Sequence, residues 1–200
     1  DSYKDFLKTD ITIREFLNKK LRGMYIGGVE IERSQKALRI IIETSRPGVI
    51  IGRSGEGAVK LKTELMAMIA REGLSVKEEV KLDIKEIKSP ESNALIVAQM
   101  IADGLEKRMP FRRVAKQMLE KVMANRDVKG IKLVLSGRLG GADMSRKEKM
   151  KKGQVPLQTF RADIDFARYE AMMPYGKIGI KIWIYRGQIF AKKAEAKKSN

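Results

Sequence analysis

Apolar positions in the first 88 residues change their spacing from one segment to the next. Between residues 12 and 21 they recur every three or four positions, which predicts a helix, and segments 26–34 and 36–44 are rich in β-branched residues, which predict two strands. After a glycine-punctuated turn the helical spacing returns from residue 58, and near residue 80 apolar and charged residues alternate as in a half-buried strand. The predicted order is helix, strand, strand, turn, helix, strand. The apolar residues on these predicted faces are Ile13, Phe16, Leu17, Leu21, Ala58, Leu61, Leu65, Met68, Ile69, Val80, Leu82 and Ile84.

The second half of the chain indicates two helices followed by strands. Residues 94–109 are apolar nearly all round, as in a buried helix, and a second helix with one apolar face follows Pro110. Alternating apolar residues at 131–135 and 178–184 predict strands. We therefore predict an α+β protein whose C-terminal part is a two-layer domain, with helices on a mainly antiparallel sheet.

The two halves meet at Lys88-Ser89-Pro90-Glu91, where a strand end, a proline turn and a helix start follow one another. We place the domain boundary there, which gives domains at 1–88 and 89–190. Residues 191–200 have no apolar periodicity and are predicted to form a disordered basic tail.

The turn before the second helix contains Gly52-Arg53-Ser54-Gly55. Its glycines let the backbone approach a ligand closely, and amides at the start of a helix favour a phosphate. A Walker loop would need Lys followed by Ser or Thr, and a dinucleotide fingerprint would need a third glycine, so both are excluded. An ordinary turn and the G-x-x-G loop of a KH module, which clamps single-stranded RNA, remain. Two strands before the loop and one after it favour a KH domain of type II.

The charge balance points to a polyanionic partner. The chain carries 42 Lys and Arg against 25 Asp and Glu, a net charge of +17, which is typical of proteins that bind nucleic acid. Residues 1–88 contribute +4 of this and residues 89–200 contribute +13. The sequence has no His and no Cys, which excludes Ser-His and Cys-His catalysis, disulfides and His/Cys zinc sites. We expect a protein that is not an enzyme and that needs no cofactor or metal.

The predicted helix after Pro110 concentrates the positive charge. Residues 106–126 hold seven Lys and Arg and two Glu. A solvated helix face usually alternates its signs to form pairs four residues apart, whereas Arg112 and Lys116 are like charges at that spacing. We predict that the face formed by Arg112, Arg113 and Lys116 contacts nucleic acid. Residues 144–152 form a further basic segment.

Two patterns in the second half have both a structural and a functional interpretation. Lys181, Trp183 and Tyr185 alternate with isoleucines and are either a platform for base stacking or a stripe in which Trp183 packs under a helix; we predict the packing role. Asp163 and Asp165 either hold a metal or share acid-base work, or else form salt bridges with nearby arginines; we predict salt bridges.

Longer motifs together resemble the bacterial type of the S3 family of small ribosomal subunit proteins. The resemblance extends in order and spacing from about residue 10 to about residue 190. Three features depart from the family pattern: its basic N-terminal stretch is not seen before Asp1, Gln158 stands where His is common, and the C-terminal tail is short. The motifs are Arg46-Pro-Gly-Val-Ile-Ile-Gly-Arg-Ser-Gly-Glu56, Met109-Pro-Phe-Arg-Arg113, Ser136-Gly-Arg-Leu-Gly-Gly-Ala142, Val155-Pro-Leu157, Arg161-Ala-Asp-Ile-Asp165 and Gly179-Ile-Lys-Ile-Trp-Ile184.

This resemblance implies a component of the small-subunit head, with an N-terminal KH domain and an α+β C-terminal domain, bound to cytoplasmic ribosomes of a bacterium or to those of an organelle. It implies binding to small-subunit ribosomal RNA, with small-subunit proteins ten and fourteen as neighbours. With proteins four and five, the chain would line the channel by which messenger RNA enters. Carried over by position, the messenger-facing residues are Arg112, Arg113 and Lys116. The other implied RNA contacts are Gly52, Arg53, Ser54 and Gly55 in the KH loop, and Lys107, Arg108, Arg138, Arg146 and Lys147 outside it.

Other classes of protein compete with this interpretation. A free-standing KH regulator of RNA would need only the first domain and would leave the +13 of the second half unexplained. A nuclease would have to use Asp163 and Asp165 without any His. A peripheral membrane protein would need an amphipathic basic helix with exposed aromatics, and none is clear. No membrane partner is expected, because no apolar run approaches the length of a membrane span.

Overall fold

The computed structural model describes residues 2–34, 37–72 and 79–190. They form two units, each with its own sheet and its own buried core, and the predicted α+β class is confirmed. The first unit contains α1 (Ser2–Lys20), β1 (Ile26–Arg33), β2 (Ala37–Thr44), α2 (Pro47–Ile51), α3 (Glu56–Arg71) and β3 (Glu79–Glu86). The second unit contains α4 (Ala94–Glu106), α5 (Phe111–Met123), β4 (Gly130–Gly137), β5 (Arg146–Gly153), β6 (Ala162–Met173) and β7 (Gly176–Gln188). The tail predicted at residues 191–200 lies outside the described residues.

The sheet of the first unit has the strand order β1-β2-β3, in which β1 and β2 are antiparallel and β2 and β3 are parallel. A parallel pair needs a crossover connection, and α2 and α3 lie within it. The predicted strand is present, and alternate residues of β2 are buried in one core with the apolar stripes of α1 and α3. The structure differs from the prediction at α2, since this segment was predicted as part of the glycine-punctuated turn and forms a short helix. Pro47 stands at the first position of this helix, where proline is favoured.

The sheet of the second unit is antiparallel throughout, with the order β5-β4-β7-β6. Helices α4 and α5 pack on one face of it, against the buried isoleucines of β7 and the alternate residues Ile131, Leu133 and Leu135 of β4. The residues that alternate with these lie on the opposite face of the sheet. The basic segment 144–152 was not predicted as a strand, yet most of it forms the edge strand β5, in which only Glu148 and Met150 are partly buried.

Helix α4 joins the two units through a buried amide. The side chain of Gln99 is nearly fully buried, its Nε2 donates to the carbonyl of Ile26 at 2.9 Å, and its Oε1 accepts from the Ile26 N–H at 3.0 Å. The Tyr25 hydroxyl donates to Asp103 at 2.5 Å. This hydrogen bond is the main reason that the pKa of the Tyr25 phenol is raised, and burial of the phenol raises the pKa further. Within the described ranges, no helix is both long and apolar enough to cross a membrane.

Replacing Gln99 by Leu is expected to lower the free energy of unfolding. The variant keeps a similar volume but leaves a buried N–H and a buried carbonyl without these partners, at a cost of about 1–3 kcal/mol for each group left unpaired. Thermal unfolding followed by circular dichroism measures the effect. Glu106→Gln is the matched control in the same helix, because the exposed Arg22–Glu106 pair is worth less than about 1 kcal/mol. Equal stability of the two variants would contradict the role given to Gln99.

Candidate RNA-binding surfaces

The loop between α2 and α3 adopts a backbone that only certain residues accept. Gly52, Ser54 and Gly55 have φ values of 72°, 53° and 83°, so three of its four residues lie at positive φ. Glycine adopts such values without strain, and Ser54 is one of three non-glycine residues at positive φ in the described chain. Gly52, Arg53 and Ser54 are all exposed, and Arg53 forms no ion pair with a described carboxylate. The loop therefore offers its backbone and one cation to solvent.

A third glycine, Gly57, fixes the approach of α2 to α3. A Cβ at this position would lie 2.9 Å from the carbonyl oxygen of Ile51 and closer still to that of Ile50. Both neighbours are backbone atoms, so no side-chain rotation can make room. In the sequence, the G-x-x-G-x-G spacing of Gly52, Gly55 and Gly57 is the signal for this close approach.

A groove of about 350 Å³ lies between α3 and β3. Its lining combines apolar residues with charged ones, and Val59 is 65% exposed. A lining that combines apolar side chains with lysines suits an unpaired nucleotide, whose base is apolar on its faces and whose phosphate is an anion. The lining residues are Ala58, Val59, Lys62, Lys81, Leu82 and Asp83.

The predicted basic face of α5 is present, and its three cations are exposed but not equivalent. The Arg112 guanidinium pairs with Glu148 at 3.2 Å and lies over the Phe111 ring. Arg113 and Lys116 form no ion pair with any carboxylate of the described residues. The first turn of α5 contains no acidic residue, so cations stand at the end of the helix where anions are favoured. Among the described residues, the one carboxylate paired with this turn is Glu148, so the surface keeps a net positive charge.

The remaining predicted RNA contacts are spread over several places. Arg146 lies beside Arg112, since its guanidinium is 3.7 Å from Glu148 and also faces Phe111. Lys147 is the next residue of β5 and is therefore on the opposite face of the sheet. Lys107 and Arg108 are exposed just after α4, and Arg108 has a φ of 60°.

Arg138 has a structural task that its sequence context did not reveal. Its Nε donates to the Ala142 carbonyl at 2.8 Å, and its terminal nitrogens reach the Tyr175 carbonyl at 3.5 Å and Asp143 at 3.3 Å. The guanidinium thereby holds the glycine-rich turn Leu139–Gly141 in place. Much of its donor capacity is used inside the protein.

The two aspartates of β6 lie in different environments. Asp165 pairs with Arg186 at 2.8 Å and accepts a 2.8 Å hydrogen bond from the Ala94 N–H at the start of α4. A salt bridge of the predicted kind is therefore present at Asp165, with Arg186 as its partner. The pairing of β6 with β7 shifts between Asp163 and Ile164, which breaks the regular alternation there. In the described part of the chain, no three potential metal-ligating side chains come together.

The prediction for Trp183 is wrong. The isoleucines of β7 take the helix-covered face of the sheet, so Trp183, between Ile182 and Ile184, must lie on the other face. There its ring centroid is 5.0 Å from that of Phe166, and the Lys132 Nζ lies 4.9 Å from its ring. Tyr185, the third member of the predicted stripe, is only 6% exposed.

Comparison with known proteins assigns both units to families. The family model for the KH domain matches residues 12–92, and the model described as "Ribosomal protein S3, C-terminal domain" matches residues 101–184. Small ribosomal subunit protein uS3 of Caldicellulosiruptor bescii is 47% identical over 96% of this chain and 85% of its own length. The uS3 proteins of Hydrogenovibrio crunogenus and Pseudomonas aeruginosa are 46% and 41% identical, over 94% and 97% of this chain and 78% and 82% of their own lengths.

These matches confirm the resemblance that the sequence motifs indicated. The matched ranges include both the KH loop and the basic helix α5. The chain belongs to the uS3 family of small ribosomal subunit proteins.

Proposed function

We propose that this chain is a structural, RNA-binding protein of the small ribosomal subunit head, and that α5 contributes a positive rim to the channel by which messenger RNA enters. Most of its Lys and Arg residues neutralise phosphates of small-subunit ribosomal RNA and hold the protein in place without reading sequence. Arg112, Arg113 and Lys116 instead hold the separated strands of incoming messenger. This work is positioning, with no chemical step and no cofactor.

The observation that carries this proposal is the unbalanced charge of α5. Arg113 and Lys116 are exposed without an ion pair among the described residues, and Arg112 at the positive end of the helix shares its single carboxylate with Arg146. Such an arrangement is unfavourable for an isolated helix. It is favourable when a phosphate chain lies against it, because each cation then releases a condensed counterion.

The KH domain has the complementary role of anchoring. Gly52, Arg53, Ser54 and Gly55 form an exposed loop beside the groove between α3 and β3, an arrangement suited to clamping the backbone of a few unpaired nucleotides. We propose further ribosomal-RNA contacts at Lys107, Arg108, Arg138, Arg146 and Lys147, although Arg138 has few donors left to offer.

The assembly implied by the family completes the proposal. Small-subunit proteins ten and fourteen would be neighbours in the head, and proteins four and five would complete the ring around incoming messenger, in a ribosome of bacterial type.

We also propose the domain boundary at residues 88 and 89, between the end of β3 at Glu86 and the short turn Pro90–Ser92.

Ribosomes that carry the variant Arg112→Ala/Arg113→Ala/Lys116→Ala test the messenger role. We expect them to translate several-fold more slowly through a stable messenger hairpin, because the separated strands lose their cationic rim, while an unstructured message is translated at the normal rate. Single-turnover elongation on the two messages measures the ratio.

Lys121→Ala is the matched control, since it removes a cation from the same helix that is paired with Glu91. We expect it to leave both elongation rates unchanged. Equal slowing on both messages by the triple variant would contradict a role in holding separated strands, and would point to a defect in assembly.

A further inference from the structure

The face of the C-terminal sheet that is turned away from α4 and α5 carries ordered rows of side chains. Because directly paired residues of neighbouring strands lie on the same face, the register gives the members of each row, in the order β5, β4, β7, β6. The first row is Lys151, Lys132, Trp183 and Phe166, the second is Lys149, Val134, Lys181 and Arg168, and the third is Lys147, Ser136, Gly179 and Glu170.

These rows hold six cations and one carboxylate. Glu170 is already engaged, since Lys177 lies 3.0 Å and Arg168 3.7 Å from it. The five lysines of the rows form no ion pair with a carboxylate in the described part of the chain. The described residues therefore do not neutralise their charge, which is available to an anionic partner.

The first row also offers aromatic surface. Phe166 is 51% exposed, and its ring is tilted by 37° to that of Trp183 at a centroid distance of 5.0 Å. The Lys132 ammonium 4.9 Å from the Trp183 ring adds a cation beside the aromatic pair. Aromatic rings beside cations, on the open face of a four-stranded sheet, are the combination with which several RNA-binding domains stack unpaired bases.

We propose that this open sheet face binds a single-stranded segment of RNA. A base stacks on Phe166, which Trp183 supports from the side, and the flanking phosphates lie along the lysines of β5, β4 and β7. Charge complementarity favours RNA over a protein partner, because lysine is depleted in protein interfaces and the only apolar side chain in the other two rows is Val134.

The open sheet face is separate from the surface of α5 to which the messenger role is given. The face is on the other side of the sheet from α5, and it lies in a different unit from the KH loop. It adds a third RNA-binding surface to the chain.

The chain contains a single tryptophan, so its fluorescence reports on this face alone. We expect a twelve-nucleotide oligoriboadenylate to quench the emission of Trp183 in the full chain. Phe166→Ala is expected to weaken the binding seen by quenching about tenfold, the loss typical of one stacked base. Lys132→Ala/Lys151→Ala keeps the aromatic pair. It is expected to make the slope of log K against the logarithm of the salt concentration shallower by about 1.4, since each phosphate neutralised on a single strand contributes about 0.7 to that slope.

Two control variants separate this face from the other surfaces. Arg113→Ala/Lys116→Ala on α5 and Arg53→Asp/Ser54→Asp in the KH loop should both retain the quenching, even where they weaken total RNA binding measured by anisotropy. RNA binding by anisotropy without any change in Trp183 emission would overturn the proposal. Equal quenching by polyglutamate of the same length would overturn it too, because the face would then be a site for an acidic protein.

Discussion

Replacing Arg53 and Ser54 by Asp is expected to reduce the affinity of the full chain for single-stranded RNA roughly 100-fold at 0.1 M salt. Without Arg53 one phosphate is no longer neutralised, and this loss lowers the affinity for a single strand about fivefold. Each new carboxylate within about 4 Å of a phosphate adds about 1 kcal/mol of repulsion in water. Fluorescence anisotropy with a labelled oligoribonucleotide measures the change.

The fold should tolerate this pair of substitutions. Both side chains are exposed, and Asp is among the residues that accept the left-handed conformation found at Ser54. Thr12→Asp/Arg14→Asp makes the same change in charge on α1 and serves as the control. If it weakened binding as much as the loop variant does, net charge would explain the effect and the loop would have no special role.

Replacing Gly57 by Ala is expected to destabilise the KH domain by about 1–3 kcal/mol, the usual cost of overpacking a close contact. The new Cβ would collide with the carbonyl oxygens of Ile50 and Ile51, so α2 and α3 would have to move apart. That movement would also distort the loop between them and lower RNA affinity. Chemical denaturation gives the free energy of unfolding, and anisotropy gives the affinity.

Gly48→Ala is the matched control in the same segment. A Cβ at Gly48 would meet no atom within 4 Å, and its φ is not positive, so the substitution should be neutral or stabilising by up to about 1 kcal/mol. Equal stability of the two variants would contradict this prediction, because it would show that the close contact of α2 with α3 at Gly57 is not needed for stability.

The KH half of the fold could be predicted because its local patterns are unambiguous. Alternation in β3, helical spacing in α3 and a glycine turn before α3 each indicate one structure, and together they give the order that was found apart from the short helix α2. The edge strand β5 was missed because strand prediction relies on apolar alternation. In β5 both faces carry charged residues, and only Glu148 and Met150 are partly buried.

Side-chain partners were harder to predict than elements. Gln99 lies in an apolar helix and showed no sign that it would bind Ile26, a residue 73 positions earlier. The packing predicted for Trp183 failed because only one face of β7 could be covered by helices, and the row of isoleucines already marked that face. The alternation that identified the strand therefore contained the information that Trp183 lies on the other side.

Site-specific crosslinking in assembled, translating small subunits tests the division of labour most directly. A photoreactive amino acid at position 113 and another at position 53 compare the α5 rim with the KH loop. We predict that position 113 crosslinks to messenger RNA and position 53 to ribosomal RNA. Crosslinks from position 113 to ribosomal RNA alone would contradict the account, because the unbalanced charge of α5 would then serve only to anchor the protein.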